Sequence, residues 1–328
     1  MSQFDVLCIG NAIVDIIARC EDDFLVANGI HKGAMNLIDA ERAEALYAAM
    51  GPAVEMSGGS AGNTAAGIAS LGGSAAYFGK VSNDSLGRIF AHDIRAQGVA
   101  FDTRPLTGNP PTARSMIFVT PDGERSMNTY LGISAELNGD DVNPAVFSGA
   151  GWLFLEGYLF DKDAGKAAFL KAAEACHAAG GQAGIALSDP FCVDRHRTDF
   201  RRLVAGPMDY VIGNVHEWKS LYQVEDLDEA LRLAAADCGT VVCTCSGDDA
   251  ILIRGDERVT APVHRVVPVD ATGAGDQFAA GLIYGLAVGA PLAAAGRMGC
   301  IAAAEVISHV GARPEGDLRA AFRAEGLI

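Results

Sequence analysis

Asp270-Ala271-Thr272-Gly273-Ala274-Gly275-Asp276 is the stretch on which the reading of this chain turns. Ahead of it, residues 263–269 cluster apolar side chains as a strand would. Behind it, residues 277–288 are apolar at helical spacing through Phe278, Leu282 and Leu286. The spacing predicts a Gly-Ala-Gly turn where a strand hands over to a helix. Small residues there let a phosphate come close to the backbone, and the free N–H groups of the first helical turn, with the helix dipole, bind its charge. An anion site needs no carboxylate, and Asp276 at its mouth would repel a resting phosphate. Asp276 makes sense if it accepts the proton of an alcohol that attacks phosphorus. Without that chemistry the stretch is a tight turn and a helix start with a dipole-favoured acid.

The rest of the chain fits a large enzyme core better than a binding tail. It has 328 residues, half of them hydrophobic, enough for one large domain with or without a small one. Its 41 acidic and 25 basic residues give a net charge of −16, which argues against nonspecific binding to nucleic acid or anionic membrane. No apolar run reaches a membrane-spanning length. The start, Met1-Ser2-Gln3-Phe4-Asp5, lacks the basic region and apolar core of a signal peptide. The eight cysteines form no Cys-x-x-Cys pair and the seven histidines lack ligand spacing, so a reduced cytoplasmic setting is expected and a zinc site is not.

Strands are expected over residues 4–9, 12–18, 33–38 and 75–81, and helices over 39–50, 60–71 and 84–97. Residues 113–119 and 125–130 flank Thr120-Pro121-Asp122-Gly123-Glu124, whose Asp-Gly marks a hairpin. From Gly151 onward strands (152–155, 184–187, 210–213, 240–244, 250–254) alternate with helices (162–179, 200–205, 228–237). Such alternation predicts an α/β fold: a mostly parallel sheet with helices on both faces. The strands within about 12–38 and 100–133 are expected to make a small separate β-sheet.

Ligands of open α/β sheets bind at the carboxyl ends of the strands. Asn11, Asp15, Glu156, Asn214 and Asp276 all follow expected strands on that side. Asn and Asp also form turns, but a carboxylate such as Asp15 accepts well from two vicinal sugar hydroxyls. Asn214 and Glu217, one helical turn apart, suit a cap, or a Mg²⁺ held through water near phosphates. Thr244, Ser246 and Gly247 end a strand and are candidates for nucleotide contact, although such a turn is common, and Arg125 beside the hairpin is either a contact to a transferring phosphate or a solvated arginine. No Gly-x-x-x-x-Gly-Lys-[Ser/Thr] exists, so this is not a P-loop protein.

Four motifs in one order resemble the ribokinase-like (PfkB) kinases: residues 6–15, Gly58-Gly59-Ser60-Ala61-Gly62-Asn63-Thr64-Ala65, Asn214-Val215-His216-Glu217, and Asp270 to Asp276. The resemblance covers nearly the whole chain and is closest to adenosine-kinase-like members, through Arg125-Ser126-Met127-Asn128-Thr129-Tyr130-Leu131-Gly132. It implies one ribokinase-like domain over 1–328 whose small sheet is a lid over the acceptor site, hinged near residues 10–11, 56–59 and 132–134. It implies ATP as donor with Mg²⁺, Asp276 as base, and the N–H groups around Gly273, Ala274 and Gly275 stabilising the transferring phosphoryl group. Gly59 would let the backbone approach a sugar, and Asn11, Asp15, Asn63 and Glu156 would bind its hydroxyls. Asp270 and Thr272 would help shape a K⁺ site, as in some relatives.

The expected acceptor is the 5′-hydroxyl of adenosine, with inosine, guanosine or a free sugar as alternatives. Residues 100–135 hold only Arg104, Arg114 and Arg125, few cations for a phosphosugar. Met35, Leu37, Met116, Phe118, Tyr130, Leu131 and Phe160 are the candidate walls for a base. A non-catalytic ligand sensor would have no use for Asp276. Either a monomer or a homodimer is compatible with this sequence.

Overall fold

Along the first strand, β1 (Phe4–Ile9), Val6 and Cys8 pack into one apolar cluster while Leu7 and Ile9 pack into another. A strand buried on both faces belongs to the interior of a sheet covered by helices on each side. The computed structural model has that arrangement. It describes residues 3–108 and 110–328; Met1 and Ser2 at the expected strand entry, Asn109 within the expected 100–133 region, and the side chain of Asp161 lie outside the described residues.

In chain order, β1 is followed by β2 (Ile13–Arg19), α1 (Asp22–Ala27), β3 (Met35–Leu37), α2 (Ala40–Ala49), β4 (Ala53–Gly58), α3 (Ser60–Ser70), β5 (Ala75–Phe78) and α4 (Ser85–Ala96). The hairpin β6 (Ala113–Val119) and β7 (Arg125–Tyr130) comes next, then α5 (Pro144–Phe147), β8 (Ala150–Glu156), α6 (Asp163–Ala178), β9 (Gln182–Ala186), α7 (Pro190–Val204), β10 (Tyr210–Asn214), α8 (Val215–Tyr222) and α9 (Leu227–Asp237). The chain ends with β11 (Thr240–Cys245), β12 (Asp248–Arg254), β13 (Glu257–Ala261), α10 (Ala274–Ala287), α11 (Leu292–Val306) and α12 (Leu318–Ala324).

The large sheet runs β13-β12-β11-β10-β9-β8-β1-β5. It is parallel from β5 to β11, and β12 and β13 add an antiparallel edge. One face is covered by α3, α10 and α11 (Ala65, Leu282 and Ala295 in one cluster), the other by α5 to α9 (Phe147, Phe169, Phe200, Trp218 and Leu231). From β1 the chain goes to β5 on one side and returns to β8 on the other. The strand order therefore reverses between β1 and β8, which opens a crevice at their carboxyl ends.

The second sheet is β3-β7-β6-β2-β4. Alternation along β6 divides its faces: Ser115 and Ile117 line a cavity, whereas Met116 and Phe118 are buried in the apolar cluster behind, where Phe118 meets Phe24 of α1 at 5.0 Å between ring centroids. Asp39 caps α2 by accepting from the Arg42 N–H, as its position before the helix suggests.

Several expectations are corrected. Residues 263–269 form no strand. Pro262 and Pro268 remove ladder donors, Val267 and Val269 face solvent, and the segment is held instead by the Val269 N–H donating to the Ile307 carbonyl at 2.7 Å. Asp276 thus follows an unpaired segment, and Asp15 lies within β2 of the small sheet instead of just beyond a strand of the large one. The helix expected over 200–205 is the longer α7, begun by an Asp189 cap and Pro190. Strand β4, which completes the small sheet, lies outside the ranges expected for it.

Candidate active site

The turn read first from the sequence is built by a left-handed glycine. Gly273 is the N-cap of α10 with φ 79°, and a Cβ there would come within 2.7 Å of the Ala312 Cα, so only glycine fits. Ala274, Gly275 and Asp276 form the first turn, whose N–H groups precede the reach of the helical ladder. A Cβ on Gly275 would meet nothing within 4 Å, because that position opens into a cavity.

Two cavities meet here. The smaller, about 240 Å³, is lined by the Gly273–Asp276 turn with Asn214, Glu217, Thr244, Ser188 and Tyr158. The larger, about 1070 Å³, lies between the small sheet and the carboxyl edge of the large one, with Asn11, Asp15, Gly59, Asn63, Arg125 and Glu156 on its wall. Asp276, Ser60, Tyr158 and Gly273 line both. A carboxylate at the junction of two ligand spaces can take a proton from a group on one side as that group attacks a group on the other.

Asp276 is held at both oxygens. Ser60 donates to Oδ1 at 2.6 Å and the Asn63 amide to Oδ2 at 3.0 Å. Burial pushes its pKa up, and the two hydrogen bonds and the Arg313 charge pull against that, leaving it above the ordinary carboxylate range. A raised value suits a base more than it suits a purely structural ion.

Asp15 presents the opposite case. Burial, opposed by Arg125 and Arg313 and assisted by Asp276, raises it to about 6, and among the described residues no group donates a hydrogen bond to it. Its carboxylate abuts Gly58, where a Cβ would lie 2.2 Å from Oδ2. An unpartnered carboxylate on a cavity wall is a site waiting for donors.

Asn11 and Glu156 sit at the crevice between β1 and β8. Glu156 accepts from the Asn11 N–H (3.2 Å), the Asn11 amide (2.8 Å) and the Ala61 N–H (2.8 Å), and Ser134 donates to Asn11 Oδ1 at 2.9 Å. Burial lifts Glu156 to about 7 against those bonds. This buried knot fixes the start of α3 against β1, with Gly59 at φ 83° turning the chain into the helix.

Asn214 and Glu217 form a reciprocal capping box at the start of α8: each accepts the other's backbone N–H, and the Asn214 amide donates to Glu217 Oε1 at 2.7 Å. Glu217 is pushed to about 7, first by burial. Both its oxygens are engaged, each keeping a lone pair for water, so the donor set fits a water-held Mg²⁺ and not direct ligation. The Asp270 carboxylate is engaged at both oxygens and neutralised by a cation: Arg125 Nη1 reaches Oδ2 at 2.5 Å, Gly311 N–H donates to Oδ2 at 2.9 Å, and Thr272 N–H donates to Oδ1 at 3.0 Å. Burial pushes Asp270 up, but those contacts hold it below the ordinary range. With Arg125 in place, the Asp270 and Thr272 pair does not fit a K⁺ ion.

Thr244 lines the smaller cavity; Ser246 and Gly247 line neither and form the turn between β11 and β12. Of the expected base walls, Met35, Leu37 and Leu131 line the larger cavity. Met116 and Phe118 are buried behind the small sheet, Tyr130 packs against the same cluster, and Phe160 stacks on Phe200 at 4.3 Å, and these four line neither of the two cavities.

The sequence reading missed Ile117, Met127 and the exposed Phe191 on the larger cavity, Ser188 on the smaller, and Ser60 and Tyr158 at the junction. It also missed Arg313, buried beneath Asn63. Ser188-Asp189-Pro190 after the strand at 184–187 carried a usable signal, an Asp cap with Pro at the first helical position. Ser188 has φ 72°, unusual for a non-glycine residue and in keeping with a functional edge.

The profile of the pfkB family carbohydrate kinases matches residues 3–317. The chain belongs to the PfkB family. It is therefore a phosphotransferase with an alcohol acceptor, a kinase of a sugar or nucleoside. Among solved structures it is similar to a probable sugar kinase from Rhizobium etli CFN 42 (54% identity, all of both chains, TM-score 0.93). It is also similar to the adenosine kinase from Sinorhizobium meliloti (54% identity, 99% of this chain and 100% of that one, TM-score 0.91). A fructokinase of Klebsiella pneumoniae is 27% identical over 254 residues, 72% of this chain and 79% of the relative. The α/β architecture with a second small sheet is that of the ribokinase-like fold of this family.

Proposed function

We propose that this PfkB-family kinase phosphorylates the 5′-hydroxyl of adenosine, giving AMP. The observation that carries the nucleoside over a free sugar is the apolar wall of the larger cavity: Met35, Leu37, Ile117, Met127, Leu131 and the exposed ring of Phe191. A planar base is matched by such a wall, whereas a free sugar would leave its hydroxyls unpaired against it. Similarity to the Sinorhizobium meliloti adenosine kinase supports the same acceptor.

In this reading Asp15 accepts from the vicinal ribose hydroxyls, with Asn11 and Glu156 holding the crevice wall and Gly59 keeping the backbone low beneath the sugar. Asn63 stays with Asp276. The 5′-hydroxyl meets Asp276 Oδ1 or Oδ2, which takes its proton as the oxygen attacks the γ-phosphorus. The N–H groups of Gly273, Gly275 and Asp276 receive the charge on the equatorial oxygens, while the Ala274 N–H donates to the Ala271 carbonyl at 3.3 Å. ATP lies along the smaller cavity by Thr244 and Asn214, with Ser246 and Gly247 at the outer edge. Mg²⁺, held through water by Asn214 and Glu217, would neutralise phosphate charge. No step is assigned to K⁺.

The five-stranded sheet acts as a lid that excludes water during transfer, within one catalytic domain over 1–328. Arg125 belongs to the lid and is ion-paired to Asp270. The free chain is proposed to work in the cytoplasm as a monomer or a homodimer.

A coupled ADP-release assay over adenosine, inosine, guanosine, cytidine, ribose, fructose and 2-keto-3-deoxygluconate tests the acceptor. Adenosine is expected to give the highest kcat/KM. A free sugar ahead of adenosine by more than about tenfold, over 1.4 kcal/mol of transition-state preference, would replace the nucleoside reading by the sugar one.

A further inference from the structure

Arg313 lies in the loop between α11 and α12, yet it is buried to 7% exposure beneath the proposed base. Its three donor edges go to three different elements. Nη1 reaches Asp93 Oδ2 of α4 at 3.1 Å, Nη2 donates to Ser57 Oγ of β4 at 2.8 Å, and Nε donates to Asn63 Oδ1 of α3 at 3.3 Å. Asp93 in turn accepts from the Ser57 N–H at 2.8 Å. The neighbouring loop residue is also tied to the site: Gln277 of α10 donates through one amide to the Asn63 carbonyl at 3.0 Å and the Ala312 carbonyl at 2.9 Å.

We infer that Arg313 is a positioning residue for phosphoryl transfer: it fixes the Asn63 amide with its N–H₂ toward Asp276 and sets a buried positive charge beside Asp276 and Asp15. This rests on the proposal that Asp276 is the base. The chemistry follows from the amide. An asparagine side chain has one donor end and one acceptor end. With Oδ1 held by a guanidinium, Nδ2 must face the other way, and there it donates to Asp276 Oδ2 at 3.0 Å. The series Asp93–Arg313–Asn63–Asp276 alternates acceptor and donor without a conflict. A loop anchor would need only Asp93 and Ser57; the third edge goes to the residue that holds the base.

The charged and titratable groups that act on Asp276 and its neighbours are Arg313 from the loop, Arg125 from β7 (acting on Asp15), Asp15 from β2, Glu156 from β8 and Tyr158 from the turn after β8. Arg313 is the cation among them that acts on Asp276 directly. Its removal leaves Asp15, Asp276 and Glu156 facing one another without it.

The test is steady-state kinetics of Arg313→Met and Arg313→Lys across pH, in the full chain and again with Asn63→Ala. Arg313→Met is expected to lower kcat by about ten- to hundredfold, the scale of a reacting group misplaced by about an ångström, with KM for ATP changed less than about threefold. The acid limb of kcat/KM should move to higher pH. Arg313→Lys keeps the charge but not the fork, so its limb should stay near the wild-type position while kcat falls. In the Asn63→Ala background, Arg313→Met should cost less than about threefold, because residues acting through one another are not additive. Unchanged kcat and acid limb in Arg313→Met, or the same fold loss with and without Asn63, would overturn the proposal. If Arg313→Met does not fold, Asp93→Ala, which takes the acceptor from the Nη1 edge and leaves the guanidinium charge, should lower kcat with the acid limb near its wild-type position, and should cost less in the Asn63→Ala background; an unchanged kcat, or the same loss in both backgrounds, would overturn the proposal. Asp276→Asn separates the two ideas: near-normal turnover there removes the base itself, whereas an inactive Asp276→Asn beside a silent Arg313→Met removes only Arg313.

Discussion

Arg125 and Asp270 meet as a nearly dry ion pair, Nη1 to Oδ2 at 2.5 Å, with side chains 6% and 5% exposed. Arg125 opens β7 of the small sheet, and Asp270 opens the segment that leads into the Gly273 turn. The pair therefore ties the small sheet to the segment that leads into the Gly273 turn. Truncating one partner leaves a buried charge unpaired, a change that costs about 3–5 kcal/mol in comparable pairs. Arg125→Met and Asp270→Leu should each lower Tm and kcat/KM, and the double variant should lose less Tm than the two singles together. Additive losses in that thermal-melt cycle would mean the two residues act separately.

The glycines of the turn should separate folding from catalysis. Gly273→Ala forces a side chain into positive φ and against Ala312, so it should destabilise by about 1–3 kcal/mol. Gly275→Ala meets no protein atom within 4 Å and should keep the wild-type Tm. On the proposed mechanism its methyl would stand where the phosphoryl oxygens approach the N–H groups, so kcat should fall by about two decades, the scale of a lost oxyanion donor. Differential scanning fluorimetry beside ADP release reads both; full activity in Gly275→Ala would place the phosphoryl group elsewhere.

Asp15 gives a pH dependence of definite sign. Its value in the fold, about 6, lies above the ordinary 3.8. Acceptor kcat/KM should fall as pH drops through about 6, because the protonated acid loses acceptor capacity for the ribose hydroxyls. For stability the sign reverses: the group's contribution is fully present below about 3.8 and lost as pH rises through about 6. Asp15→Asn should then raise the Tm of the empty protein at pH 8 and much less at pH 4.5, while acceptor KM rises. A Tm difference that is flat with pH would show that Asp15 is not held above its ordinary value.

The lid reading makes a prediction in hydrogen exchange. Adenosine should protect residues 113–131, together with β2 and β3, by ordering the sheet over the larger cavity. Protection confined to the large sheet, with residues 113–131 unchanged, would argue against closure.

Sequence patterns conveyed the parts of this molecule that obey local rules. The Asp-Gly hairpin, the Asp39 cap and the Ala-rich helix from Ser60 appear within a residue or two of their expected bounds, because turn chemistry and apolar period act locally. Residues 263–269 misled because valine content resembles a strand, while Pro262 and Pro268 and the absence of a pairing partner decide otherwise. The cavity walls were half legible for a similar reason. Met116 and Ile117 are adjacent and equally apolar, and only the register of β6 on β2 and β7 says which one faces the ligand. Asp276 was legible through its motif. Arg313 was not, since its partners Asp93, Ser57 and Asn63 lie 220, 256 and 250 residues away in sequence.

The most direct test of the account is single-turnover phosphoryl transfer by Asp276→Asn, with adenosine and ATP binding measured on the same protein. The account predicts that both ligands still bind and that AMP forms about two to four decades more slowly, the usual range for a positioned base. AMP formation at a near-wild-type rate would contradict it, because the proton of the attacking hydroxyl would then leave without the carboxylate that stands between the two cavities.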